Sequence, residues 1–95
     1  MQESTLEKRL RLEVGKHGGL ALKFISPGKR GVPDRLVLVP MGRAVFVEMK
    51  APSKPLEPLQ KKRTEELKNL GFKVYKIDSN TDIKNFIQEE FGSDI

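Results

Sequence analysis

The sequence contains no cysteine. That absence excludes disulfides and thiolate metal sites and suits a reducing compartment. Histidine is nearly missing too: His17 stands alone, at the end of a helical pattern beside Gly18 and Gly19. A helix C-terminal cap is its expected role there, ahead of a metal ligand or a base. No apolar run approaches the ~20 residues that a membrane helix needs. The opening Met1-Gln2-Glu3-Ser4 lacks the basic-then-apolar pattern of a signal peptide, so a cytoplasmic protein with no membrane partner is the expectation.

What is present is charge. Lys and Arg number 18 against 13 Asp and Glu, a net +5 with a pI near 9.6. Such a balance suggests a polyanionic partner such as nucleic acid. The positive residues flank a short acidic motif: Lys29 and Arg30 precede it, and Lys54, Lys61, Lys62 and Arg63 follow. These six are the candidate nucleic-acid backbone contacts, although a solvated helix face is the plainer role for the last three.

Ninety-five residues make one small domain, 1–95. Leu6, Leu10 and Val14 recur at helical spacing, and Ser4 followed by Glu7 fits a capping box. This predicts a helix over 4–17, stopped by Gly18-Gly19. Leu20 to Ile25 reads as a strand, and Ser26 to Gly31 as a loop of turn formers and positive charge. Leu36–Val39 and Arg43–Lys50 read as two strands apolar on both faces, as in a sheet covered on both sides. Pro58 opens a second helix, with Leu59, Leu67 and Leu70 inward, ending at Gly71. Phe72–Ile77 is a strand. Ile83, Phe86, Ile87 and Phe91 mark a third helix. The phenylalanines are expected in the core rather than as base-stacking platforms. The order is α-β-β-β-α-β-α, an α/β fold with one mixed sheet and flanking helices.

Chemistry gathers on the hairpin. Pro40-Met41-Gly42 is its turn. A two-residue loop would set Asp34 opposite Met49. A three-residue loop pairs Val39 with Arg43, sets Asp34 opposite Glu48, and needs a positive φ that Gly42 can supply. Opposed like charges destabilise a sheet, so two carboxylates held there suggest a bound cation. Two carboxylates suit a hard divalent ion, Mg²⁺ or Mn²⁺. Lys50 shares the face of Glu48 and can orient or deprotonate a water, or stabilise charge developing on phosphorus. These are the parts of a phosphodiester hydrolase. Singly they have plainer readings: Asp34 as a turn cap, Glu48 and Lys50 as an ion pair, Glu7 as a capping residue.

Gly31-Val32-Pro33-Asp34, then Glu48-Met49-Lys50, then Pro58-Leu59-Gln60 at a helix start together resemble the VRR-Nuc family of the PD-(D/E)xK nuclease superfamily. The resemblance runs over residues 3–78. It implies a restriction-endonuclease-like core and a nuclease site of Asp34, Glu48, Lys50 and Gln60. It also implies a first-helix glutamate as metal ligand, Glu7 in preference to Glu3, and a metal contact from the Met49 carbonyl. Gln60 would orient Lys50 or the scissile phosphate. By the same resemblance the substrate is branched or otherwise structured DNA, cut by a homodimer in the manner of a Holliday junction resolvase. A non-catalytic DNA-binding module, or a nuclease acting on flaps or RNA, is the alternative.

Overall fold

A computed structural model describes residues 3–92. Its elements follow the expected order: α1 (Thr5–Lys16), β1 (Leu20–Lys23), β2 (Arg35–Val39), β3 (Arg43–Met49), α2 (Pro58–Asn69), β4 (Val74–Ile77) and α3 (Asn80–Phe91). The four strands form one sheet in the order β1-β2-β3-β4. β1, β2 and β3 are antiparallel neighbours, and β4 joins β3 in parallel. A parallel pair needs a crossover, and α2 provides it. No described helix is long and apolar enough to cross a membrane.

Caps set the helix ends. The Ser4 hydroxyl accepts from the Glu7 amide while the Glu7 carboxylate accepts from the Ser4 amide, both at 3.1 Å, the reciprocal box the sequence suggests. His17 is the C-cap of α1. Its Nδ1 lies 2.8 Å from the Glu13 carbonyl, which can only accept, so Nδ1 carries the proton. Ser79 caps α3 through the Asp82 amide.

The sheet has two unlike faces. On one, Val37, Val39, Val45 and Val47 meet Leu10 and Val14 of α1 and Ile83, Phe86 and Ile87 of α3, all buried. Burying such side chains stabilises a fold by roughly 1.5–3 kcal/mol each. This face also holds a polar lock. The Glu90 side chain, fully buried on α3, receives Arg43 at 2.7 Å and Lys73 at 3.1 Å, and Tyr75 donates to it. Three donors satisfy a carboxylate that would be costly to bury alone.

The other face is only partly covered, contrary to the expectation for doubly apolar strands. Leu20, Leu22 and Leu38 are 54%, 38% and 38% exposed. Here Phe46 packs edge-on against Phe24 and Phe72. α2 lies over this side, and the sequence misjudged its orientation. Leu70 is 74% exposed and Leu59 38% exposed, whereas Gln60, Arg63, Thr64, Glu66 and Leu67 are the half-buried positions. The inward face of α2 is mainly polar because Gln60 bonds Glu48 and Arg63 bonds the Arg30 carbonyl beneath it.

Two strands are shorter than expected. Beyond Lys23 a single ladder bond remains, from the Phe24 amide to the Asp34 carbonyl. Phe72 belongs to the end of α2, its amide bonding the Leu67 carbonyl after Gly71 at φ 97°.

Candidate active site

The hairpin register decides the site. Val39 pairs with Arg43 and Leu36 with Phe46, which extends to Asp34 opposite Glu48. The turn is the three-residue one, with Gly42 at φ 75°. Met41 also adopts φ 75°, a conformation uncommon for a residue with a side chain. The register is therefore held by burial of the valines as well as by the turn.

The two acids are bonded into each other's strands. Glu48 Oε1 accepts from the Asp34 amide at 3.2 Å, and Asp34 Oδ1 accepts from the Met49 amide at 2.9 Å. Gln60 Nε2 donates to Glu48 Oε2 at 2.9 Å, while Gln60 Oε1 accepts from the Glu57 amide. Gln60 thus orients Glu48; among the described residues it has no bond to Lys50. Lys50 Nζ stands 4.0 Å from Glu48 Oε2. Its amide bonds the Ile77 carbonyl, continuing the parallel ladder and fixing where the lysine leaves the sheet.

Glu48 is 6% exposed. Burial, and then the charge of Asp34, push its carboxyl up to about 7, with Lys50 opposing. Burial likewise raises Asp34, against the Met49 amide and Arg35. Two facing carboxyls raised chiefly by burial would ionise more readily beside an added positive charge. Their hard oxygen donors fit a divalent cation. Among the described residues, no group of three or more acids and histidines is already gathered for one.

The expected third acid is committed elsewhere. Glu7 Oε2 receives Arg35 at 2.8 Å, and its Oε1 receives the Ser4 amide. Glu3 bonds Arg11 and lies 3.9 Å from Arg35. Glu7 nonetheless lines the same cleft as Asp34 and Lys50, a space of about 750 Å³ that Thr5, Pro52 and Asp78 also border. Arg35, only 3% exposed, is the residue the sequence reading missed. It falls in step with Val37 and Val39 on the core side of β2, so its burial was available from strand alternation.

The candidate DNA contacts divide. Arg30, Lys54, Lys61 and Lys62 are exposed. Lys29 is also exposed and lies 3.9 Å from Glu66. Arg63 is structural in this geometry: Nε donates to the Arg30 carbonyl at 2.9 Å, and Nη1 pairs with Glu66 at 3.1 Å.

Acids on a hairpin end, a lysine beside them and a glutamine from the crossover helix make a nuclease-type arrangement. The VRR-NUC domain matches residues 2–81, and the chain belongs to that family. Over 79 residues it is 49% identical to "Putative nuclease p44" of Acyrthosiphon pisum secondary endosymbiont phage 1, covering 83% of this chain and 85% of that protein. A solved VRR-NUC domain superimposes with a TM-score of 0.85 at 29% identity, over 90% of this chain and 94% of that one. Nuclease function is what these likenesses support.

Proposed function

We propose that the protein is a Mg²⁺- or Mn²⁺-dependent endonuclease of DNA, acting on branched or otherwise structured substrates as a homodimer. The observation that carries this reading is the opposition of half-buried Asp34 to buried Glu48 beside Lys50. Asp34, Glu48 and the Met49 carbonyl would hold the cation, with Glu7 as a third acid at the cleft. When bound, the ion supplies Lewis-acid polarisation of the phosphate and a more acidic water.

The chain's own groups account for the remaining work. Lys50 orients the attacking water and offsets charge that develops on the phosphate oxygens. Gln60 holds Glu48 in one rotamer through a bond made from a separate element. Lys29, Arg30, Lys54, Lys61 and Lys62 attract the DNA backbone, so affinity falls steeply with salt. A two-fold dimer would present two equivalent sites, as symmetric cutting of a four-way junction requires.

A panel of linear, flap, four-way junction and RNA substrates with Mg²⁺, Mn²⁺ or EDTA tests the proposal. Metal-dependent cleavage of DNA, strongest on the junction, is expected. Lys50→Ala should bind DNA and fail to cut it. If the wild type cuts no DNA with either metal, the enzymatic reading is wrong.

A further inference from the structure

Among the described residues, three large apolar side chains are far more exposed than the rest: Met41 at 95%, Ile25 at 81% and Leu70 at 74%. Single exposed apolar residues are ordinary, and two of these stand at tips, the hairpin turn and the end of α2. Ile25 differs in its surroundings. It follows Phe24, whose amide bonds the carbonyl of Asp34 at 2.8 Å. The loop it opens returns to the sheet through Pro33, which is fully buried directly before Asp34. Both ends of this loop are therefore fastened to the backbone of a proposed metal ligand.

The loop is also braced from above. Arg63 of α2 bonds the Arg30 carbonyl. Gly31, at φ 84°, packs so closely on α2 that an added Cβ would lie 2.8 Å from Leu59 Cγ and 2.9 Å from its carbonyl oxygen. A turn closes its middle, with the Lys29 amide on the Ser26 carbonyl. On this braced frame Ile25 and Pro27 are exposed, followed by exposed Lys29 and Arg30. The order is an apolar edge and then a basic one, beside the acids.

We propose that residues 25–33 form a wedge that enters an opened base step next to the scissile phosphate, with Ile25 as the inserting side chain. The inference rests on the reading of the protein as a DNA enzyme. Isoleucine and proline are among the side chains that proteins insert between base steps, and a base step that is already unstacked is the least costly to enter. A junction offers such a step at its branch point; a continuous duplex does not. Lys29 and Arg30 take the flanking phosphates, their charge adjoining the apolar edge. The bracing by Arg63 and Leu59 keeps the wedge in one position relative to Asp34, so the wedge selects the substrate and sets where the cut falls.

The test uses a four-way junction and a matched linear duplex, each with 2-aminopurine at the branch position, bound in Ca²⁺. Wild-type protein should raise the fluorescence of the junction only. Ile25→Ser should lose that rise and lower the preference for junction over duplex about tenfold, roughly what burying one aliphatic side chain is worth. Leu70→Ser, nearly as exposed and at the opposite end of α2 from Gln60, should change neither. Ile25→Ser that keeps both the fluorescence rise and the preference overturns the wedge. So does a wild type that cuts junctions with no rise in fluorescence, although the nuclease reading then stands. If light scattering shows that Ile25→Ser alters the oligomeric state, the edge is a contact between copies and the wedge is likewise overturned. A wild type that cuts nothing defeats the nuclease reading and, with it, the wedge's role in placing a cut, while the fluorescence comparison still decides whether Ile25 inserts.

Discussion

Asp34 and Glu48 each secure the other's backbone: Glu48 accepts from the Asp34 amide, and Asp34 from the Met49 amide one residue past Glu48. Both acids are therefore fixed before any ligand arrives, at the cost of mutual repulsion.

That cost sets a pH dependence. The Glu48 carboxyl lies at about 7 in the folded protein, against 4.5 as its ordinary value. A raised carboxyl contributes stability that is complete below about pH 4.5 and is lost as pH rises through about 7. Urea denaturation in EDTA should show the wild type about 3 kcal/mol less stable at pH 8 than at pH 4.5 from this group. Glu48→Gln should flatten the difference. Added Mg²⁺ should restore stability mainly at the high end of the range.

The Glu7–Arg35 pair should behave in the opposite sense. Burial opposes ionisation of Glu7, yet bonds from Arg35 and Ser4 hold its carboxyl below the usual value. Its contribution is present above about pH 4.5 and disappears below that. Glu7→Leu leaves Arg35 buried without its nearest counter-charge and should cost roughly 3 kcal/mol. The double variant Glu7→Leu/Arg35→Met should recover much of that loss in a double-mutant cycle.

Glycine positions in one loop should differ in sensitivity. Gly28 and Gly31 have nearly the same φ, 82° and 84°, but an added Cβ at Gly28 meets open space. Gly28→Ala should cost about 1 kcal/mol, the strain of the left-handed region alone. Gly31→Ala adds a collision with the Leu59 backbone and should cost at least about 2 kcal/mol, read from urea midpoints.

Salt titrations of DNA binding separate the basic residues. Lys61→Ala and Lys62→Ala should each flatten the slope of log affinity against log salt by about one. Arg63→Met should leave the slope near its original value. It should instead speed proteolysis between residues 27 and 31, because Arg63 holds that loop through the Arg30 carbonyl.

The hairpin was legible because strand alternation is strict: one glycine and a count of turn residues placed Asp34 against Glu48. The caps at Ser4 and His17 were legible for a similar reason, since their partners lie three or four residues away. The inward face of α2 was not. Its leucines suggested an apolar stripe, yet the helix turns Gln60 and Arg63 inward, toward partners at Glu48 and Arg30 that are distant in sequence. Glu90 was opaque likewise: its three donors come from β3, the approach to β4, and β4 itself. Local periodicity reports which residues are apolar, and it carries no information about polar groups satisfied from afar.

The separation of the acids along the chain has a kinetic consequence. Asp34 and Glu48 are 14 positions apart and meet through a hairpin, which forms in microseconds. The Lys50 amide reaches Ile77 only after the chain has crossed over and laid β4 alongside β3. Non-local pairings of that kind form slowly. A growing chain therefore possesses its acid pair early and its competence last, when the final strand fixes the lysine.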